Sequence, residues 1–128
     1  MDSGPIFRRL ALGLALLTAS GMLVVASPGD AQAAAHCPGR KVRTVSFSTG
    51  VVAVYKRGGY RCAATLAKKP GTKRTMSVSI RARGGRAVAD TGRYRRHAGP
   101  VTVYAGQRCV WVKGRVGGGS ADSGWILC

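Results

Sequence analysis

The chain has 128 residues, room for one domain, and carries 21 Lys and Arg against four Asp and no Glu, a net charge of +17. So small a supply of carboxylates argues against chemistry that needs them in pairs, glycoside hydrolysis above all. The same imbalance points to polyanionic partners, because a field of one sign attracts the other.

The chain opens like an export signal. Arg8 and Arg9 form a short positive region, and residues 10–26, LALGLALLTASGMLVVA, are almost wholly apolar. Ser27-Pro28-Gly29 breaks the run, and Ala31-Gln32-Ala33-Ala34-Ala35 offers A-x-A cleavage sites. Residues 1–33 are therefore expected to be a secretory signal peptide, with cleavage after Ala33 or Ala35. A retained anchor is the rival reading. The run is at the short limit for a span of roughly 20 residues and no basic cluster follows it. No transmembrane segment is expected after processing. Arg8 and Arg9 leave with Asp2 and Asp30, so the mature chain keeps +17, with 19 cations against Asp90 and Asp122 alone.

Residues 34–128 are expected to form a single all-β domain, a small sandwich or barrel of six to eight short strands. Val42, Val45 and Phe47 mark a first strand. Val51–Tyr55 and Tyr60–Ala67 follow around the turn Lys56-Arg57-Gly58-Gly59. After the loop Lys68–Thr72, Thr75–Ala82 alternates cleanly, with Met76, Val78, Ile80 and Ala82 on one face. Ala87–Ala89 reads as a short strand, and Asp90-Thr91-Gly92 as a turn. Val101–Ala105 and Cys109–Val112, joined at Gly106-Gln107, read as a β-hairpin. Gly117–Gly124, GGGSADSG, reads as a flexible loop, and Trp125–Cys128 as a closing edge strand. No helical period persists over three turns.

All four cysteines, Cys37, Cys62, Cys109 and Cys128, fall in the mature part. Export makes disulfides the default, and four cysteines permit three connectivities. Cys37–Cys62 with Cys109–Cys128 is favoured, because each pair joins strands that can be neighbours. Each bridge stabilises by about 2–4 kcal/mol, chiefly by restricting the unfolded chain. A zinc site lacks any C-x₂-C pair, so neither metal nor cofactor is expected.

The strongest functional signal is charge. Arg93, Arg95 and Arg96 form one basic cluster, and Lys68, Lys69, Lys73 and Arg74 another. Both are candidates for binding anionic polymers of a cell wall or spore surface, with non-specific nucleic acid as a further partner. Trp111 and Trp125 are candidate stacking platforms for sugar rings, but the favoured reading puts them in the core or at its edge, in the hairpin and the closing strand. Arg57-Gly58-Gly59-Tyr60 and Arg83-Gly84-Gly85-Arg86 look like RNA-binding RGG elements but sit where hairpin turns are expected. His36, His97 and the two aspartates assemble no recognisable triad, and no G-x-S-x-G occurs, so no catalytic residue is assigned.

Val88-Ala89-Asp90-Thr91-Gly92-Arg93-Tyr94, then Ala98-Gly99-Pro100-Val101, then Tyr104-Ala105-Gly106-Gln107-Arg108-Cys109-Val110 and a terminal Trp-to-Cys segment form a pattern. It resembles the small secreted spore-associated protein family of filamentous actinobacteria. The chain departs from that pattern in placing Trp111 two residues after Cys109 and in its high charge. The resemblance implies an extracellular protein found with spores or aerial mycelium, and no catalytic residues. The functional expectation is thus a secreted, basic, non-enzymatic surface protein. The alternatives are a cationic membrane-active protein and a small carbohydrate-binding module.

Overall fold

Eight strands account for most of residues 37–128, the part of the chain described by the computed structural model: β1 (Arg40–Phe47), β2 (Gly50–Arg57), β3 (Tyr60–Ala67), β4 (Arg74–Ala82), β5 (Ala87–Tyr94), β6 (His97–Tyr104), β7 (Val110–Val116) and β8 (Gly119–Ile126). The expected signal peptide lies outside the described residues. The strands form two four-stranded antiparallel sheets, β1-β2-β3-β6 and β5-β4-β7-β8, packed face to face. The all-β expectation therefore holds, at the upper end of the strand count.

Alternation builds the core. Met76, Val78, Ile80 and Ala82 of β4 point inward and are buried, as their spacing requires. Val110, Val112 and Val116 of β7 meet Val52 and Val54 of β2 and Val101 of β6. The apolar run of β2 serves both faces. Ala53 and Tyr55 turn outward and join Cys37, Cys62 and Ala64 in a second, smaller cluster. That cluster is fastened by the Cys37–Cys62 disulfide, with Cα atoms 5.7 Å apart. Cys109–Cys128 ties the start of β7 to the chain end after β8. Both pairs are those favoured from chain order.

Three expectations fail, each for a tertiary reason. Val101–Ala105 and Cys109–Val112 do not form a hairpin. β6 pairs with β3, and β7 with β4 and β8, so the connection crosses from one sheet to the other. Alternation says which side chains point inward and cannot say which strand lies alongside. The crossing is fixed by Ala105 N and Gly106 N, which both donate to Gly59 O, and by Arg108, whose guanidinium donates to Ala105 O, Tyr104 O and Arg83 O. Asp90-Thr91-Gly92 is not a turn but the middle of β5, in register with β4 from Arg74 to Arg81. Gly119–Gly124 is not a loop; it forms most of β8. Pairing to β7 overrides the weak strand propensity of GGGSADSG, and Ser123 Oγ accepts from Val112 N where the register slips.

The sheets approach closely at Gly114. A Cβ there would clash with a methyl of Val52 and would sit 2.6 Å from Thr65 Oγ1. Thr65 is fully buried, and its hydroxyl has no hydrogen-bond partner. Gly114→Ala is expected to destabilise by roughly 1–3 kcal/mol through overpacking. Thr65→Val removes a buried, unpaired hydroxyl at constant shape and is expected to be neutral or stabilising by about 1 kcal/mol. Denaturant unfolding checks both, and a Thr65→Val loss as large as that at Gly114 contradicts this packing.

Candidate anion-binding surface

Nineteen cations share the described domain with two aspartates, so carboxylates cannot neutralise most of them. Asp90 is already committed. On the inner row of β5 it accepts from Tyr94 Oη at 2.7 Å and from Gly99 N, on β6 of the other sheet, at 2.8 Å. It thus clasps the two sheets where β5 meets β6. Asp122 accepts from Gly124 N at 3.3 Å, a local side-chain-to-backbone bond.

Arginines are held by backbone carbonyls instead. Arg61, only 5 % exposed, donates to Gly58 O and Tyr60 O from Nη1 and to Gly106 O from Nη2. It is the only charged residue of β3, and nothing local in that strand marks a charged side chain for burial. At the opposite end of the sandwich the same device operates in the open. Arg95 Nη1 donates to Gly71 O at 2.8 Å, Arg93 Nη2 to Lys73 O at 3.5 Å, and Arg74 Nη2 to Lys69 O. Main-chain bonds from Gly71 N to Arg95 O and from Ala67 N to Arg96 O complete the seam.

The two basic clusters, twenty residues apart in sequence, therefore meet. The β3–β4 loop supplies Lys68, Lys69 and Lys73, the start of β4 Arg74, and the end of β5 with its turn Arg93, Arg95 and Arg96. All but the half-buried Arg74 are exposed. Lys73, Arg93, Arg95, Arg96 and His97 border a shallow depression of about 450 Å³, with Asp90 and Tyr94 among its lining. A carbonyl fixes a guanidinium's position while leaving its charge intact, so these arginines are preorganised donors for an anion.

The remaining candidates divide. Trp111 and Trp125 are not in the core. They are half-buried cross-strand partners on the outer face of the second sheet, edge to face with centroids 5.2 Å apart. Both Arg-Gly-Gly elements are hairpin turns, β2–β3 and β4–β5. Tyr60 and Tyr104 are exposed and pack edge to face at 5.1 Å on the first sheet. Sequence reasoning passed over Lys113 and Arg115, exposed on the outer face of β7 beside Trp111. The period-two spacing of Trp111, Lys113 and Arg115 was the available signal.

Among the described residues no group of three or more His, Cys, Asp or Glu could hold a metal, and no helix is long and apolar enough to cross a membrane. Comparison of the chain with protein-family models, curated proteins and solved structures found no match.

The Asp90 clasp has a pH signature. Its hydrogen bond with Asp90, then burial, then the charge of Asp90 raise the Tyr94 phenol above its ordinary 10.0. A folded-state value above the unfolded one means that stability from this contact is complete below about pH 10 and is lost as the phenol ionises. Alkaline unfolding midpoints of wild type and Tyr94→Phe are thus expected to converge as pH rises past that range. Asp90→Asn should return the phenol towards 10.0, read by ultraviolet titration. An unchanged titration contradicts the clasp.

Proposed function

We propose that this is an exported, non-enzymatic protein that adheres to anionic polymers of a cell or spore surface through the basic end formed by the β3–β4 loop and the β5–β6 turn. One observation carries the reading: Arg93 and Arg95 are anchored by carbonyls of the facing β3–β4 loop, and Arg74 by a carbonyl of that loop itself, while the nearby carboxylate, Asp90, is bonded to Tyr94 and Gly99. Two disulfides suit an oxidising compartment outside the cell. The association with spores rests on the family resemblance of the Val88–Tyr94 and Ala98–Val101 segments. In the fold these segments carry Asp90, Tyr94 and Gly99, which form a structural clasp next to the basic end.

Adhesion driven by charge must weaken as salt rises, because binding releases counterions. Retention of the mature protein on isolated cell walls is expected to fall steeply between low and physiological salt. With polyphosphate as a defined polymer, Arg93→Ala/Arg95→Ala/Arg96→Ala is expected to flatten the plot of log K against log salt by about 2, at roughly 0.7 per phosphate contact on a flexible chain. Retention indifferent to both salt and the triple substitution refutes the proposal. Leakage of anionic vesicles at low protein concentration would favour a membrane-active protein instead.

A further inference from the structure

The outer face of the second sheet is unlike an ordinary solvated face. Along β4 the outward residues are Thr75, Ser77, Ser79 and Arg81, alternating with buried Met76, Val78 and Ile80. Each lies in register with a cation or an indole on a neighbouring strand: Thr75 with Arg93, Ser77 with Arg115, Ser79 with Lys113, Arg81 with Trp111. Small hydroxyls thus floor a strip with positive charge along its β7 side and at Arg93, and with Thr91, Ala89 and Ala87 along the rest of its β5 side. The strip begins at the basic end and runs the seven residues Thr75–Arg81 of extended strand, about 20 Å at roughly 3.3 Å per residue step.

The strip ends in a pocket. Ser79, Arg81, Ala87, Trp111 and Lys113 line a depression of about 290 Å³. Arg81 and Arg83 hold their guanidinium carbons 5.1 and 4.9 Å from the centre of the Trp125 ring, and Trp125 in turn buttresses Trp111. The buried Nε1 of Trp111 has no hydrogen-bond partner. The nearby carboxylate, Asp122 opposite Lys113, bonds Gly124 N.

We propose that this face is a linear track for an acidic glycan, and that the Trp111 pocket receives one of its sugar rings. An indole beside a hydroxyl-bearing floor suits the apolar and polar sides of a sugar, and Arg81 and Lys113 suit its carboxylate or phosphate. Single-stranded nucleic acid fits less well, since successive bases need successive rings. Here both indoles stand at one end, and arginines already cover Trp125. The ligand class rests on the proposed adhesion to anionic polymers; the track continues from the basic end at Arg93, and its Trp111 pocket lies at the far end of the strip.

Trp111 and Trp125 are the only tryptophans in the chain, so intrinsic fluorescence reports this pocket alone. The full mature protein is titrated with a galacturonic acid trisaccharide, glucose 6-phosphate, a neutral galactose trisaccharide and a thymidylate hexanucleotide. A saturable change is expected with the acidic trisaccharide or the sugar phosphate, which together show whether carboxylate or phosphate is preferred. The neutral sugar should bind about tenfold more weakly or worse. Lys113→Ala, an exposed and fold-neutral change, should weaken the acidic ligand by about tenfold, and Asp122→Asn should tighten it. Trp111→Phe should weaken it with the Trp125 signal still present. The Arg93/Arg95/Arg96 triple variant should leave the titration of these short ligands nearly unchanged. It therefore separates failure of the track from failure of the basic end. No saturable change with either acidic ligand overturns the proposal, as does equal binding of the neutral sugar, indifference to Lys113→Ala, or tighter binding of the hexanucleotide.

Discussion

Charge without countercharge is the constraint on which the rest of this molecule depends. A domain of some ninety residues has a small core and a small surplus of stability, and +17 of like charge acts against its compaction. Two consequences are visible. The chain is stapled at both ends of its sequence, Cys37 to Cys62 and Cys109 to Cys128. Its arginines also find partners among backbone carbonyls, at Gly58, Gly71, Lys73, Ala105 and Gly106, in place of the carboxylates that the sequence withholds. A carboxylate would both hold and neutralise an arginine. A carbonyl only holds it, and that difference turns a structural necessity into a proposed binding surface.

The same scarcity explains the placement of Asp90. The carboxylate is directed to Tyr94 and to the backbone of Gly99, on a strand of the opposite sheet, rather than to any of the cations around it. It secures the corner where β5 and β6 part into different sheets. The basic end is built on that corner, since Arg93 precedes and Arg95 and Arg96 follow Tyr94. Clasp and charge are thus adjacent by construction, and loosening one is expected to disturb the other.

Much of this was legible in the residues, and the limits have physical causes. The inward row of β4 follows from period-two patterning, and the bounds of β3 from the turn Lys56–Gly59 and the loop Lys68–Thr72 on either side of it; both signals are local. Partner choice is not local: β6 and β7 read as a hairpin because a strand's own pattern is the same whichever neighbour it meets. Gly119–Gly124 read as a loop because its strand state is imposed by β7. The two basic clusters could be seen, but not their meeting, which depends on β3–β4 and β5–β6 being crossings at the same end. Trp111 and Trp125 were readable as core or as platform, and only the register settled their outward side. Arg61 gave no signal, because its burial depends on a carbonyl of a distant turn, Gly106 O, as well as on its own turn.

The most direct test of the proposed polyanion surface is amide chemical-shift mapping on the isotope-labelled mature protein, with an acidic oligosaccharide added at low salt. The account predicts shifts concentrated in Lys68–Arg74 and Arg93–His97 and continuing along Ser77, Ser79, Trp111, Lys113 and Arg115, with the first sheet's Tyr60 and Tyr104 unmoved. Shifts centred on Tyr60 and Tyr104, or spread evenly over every basic residue, would contradict it.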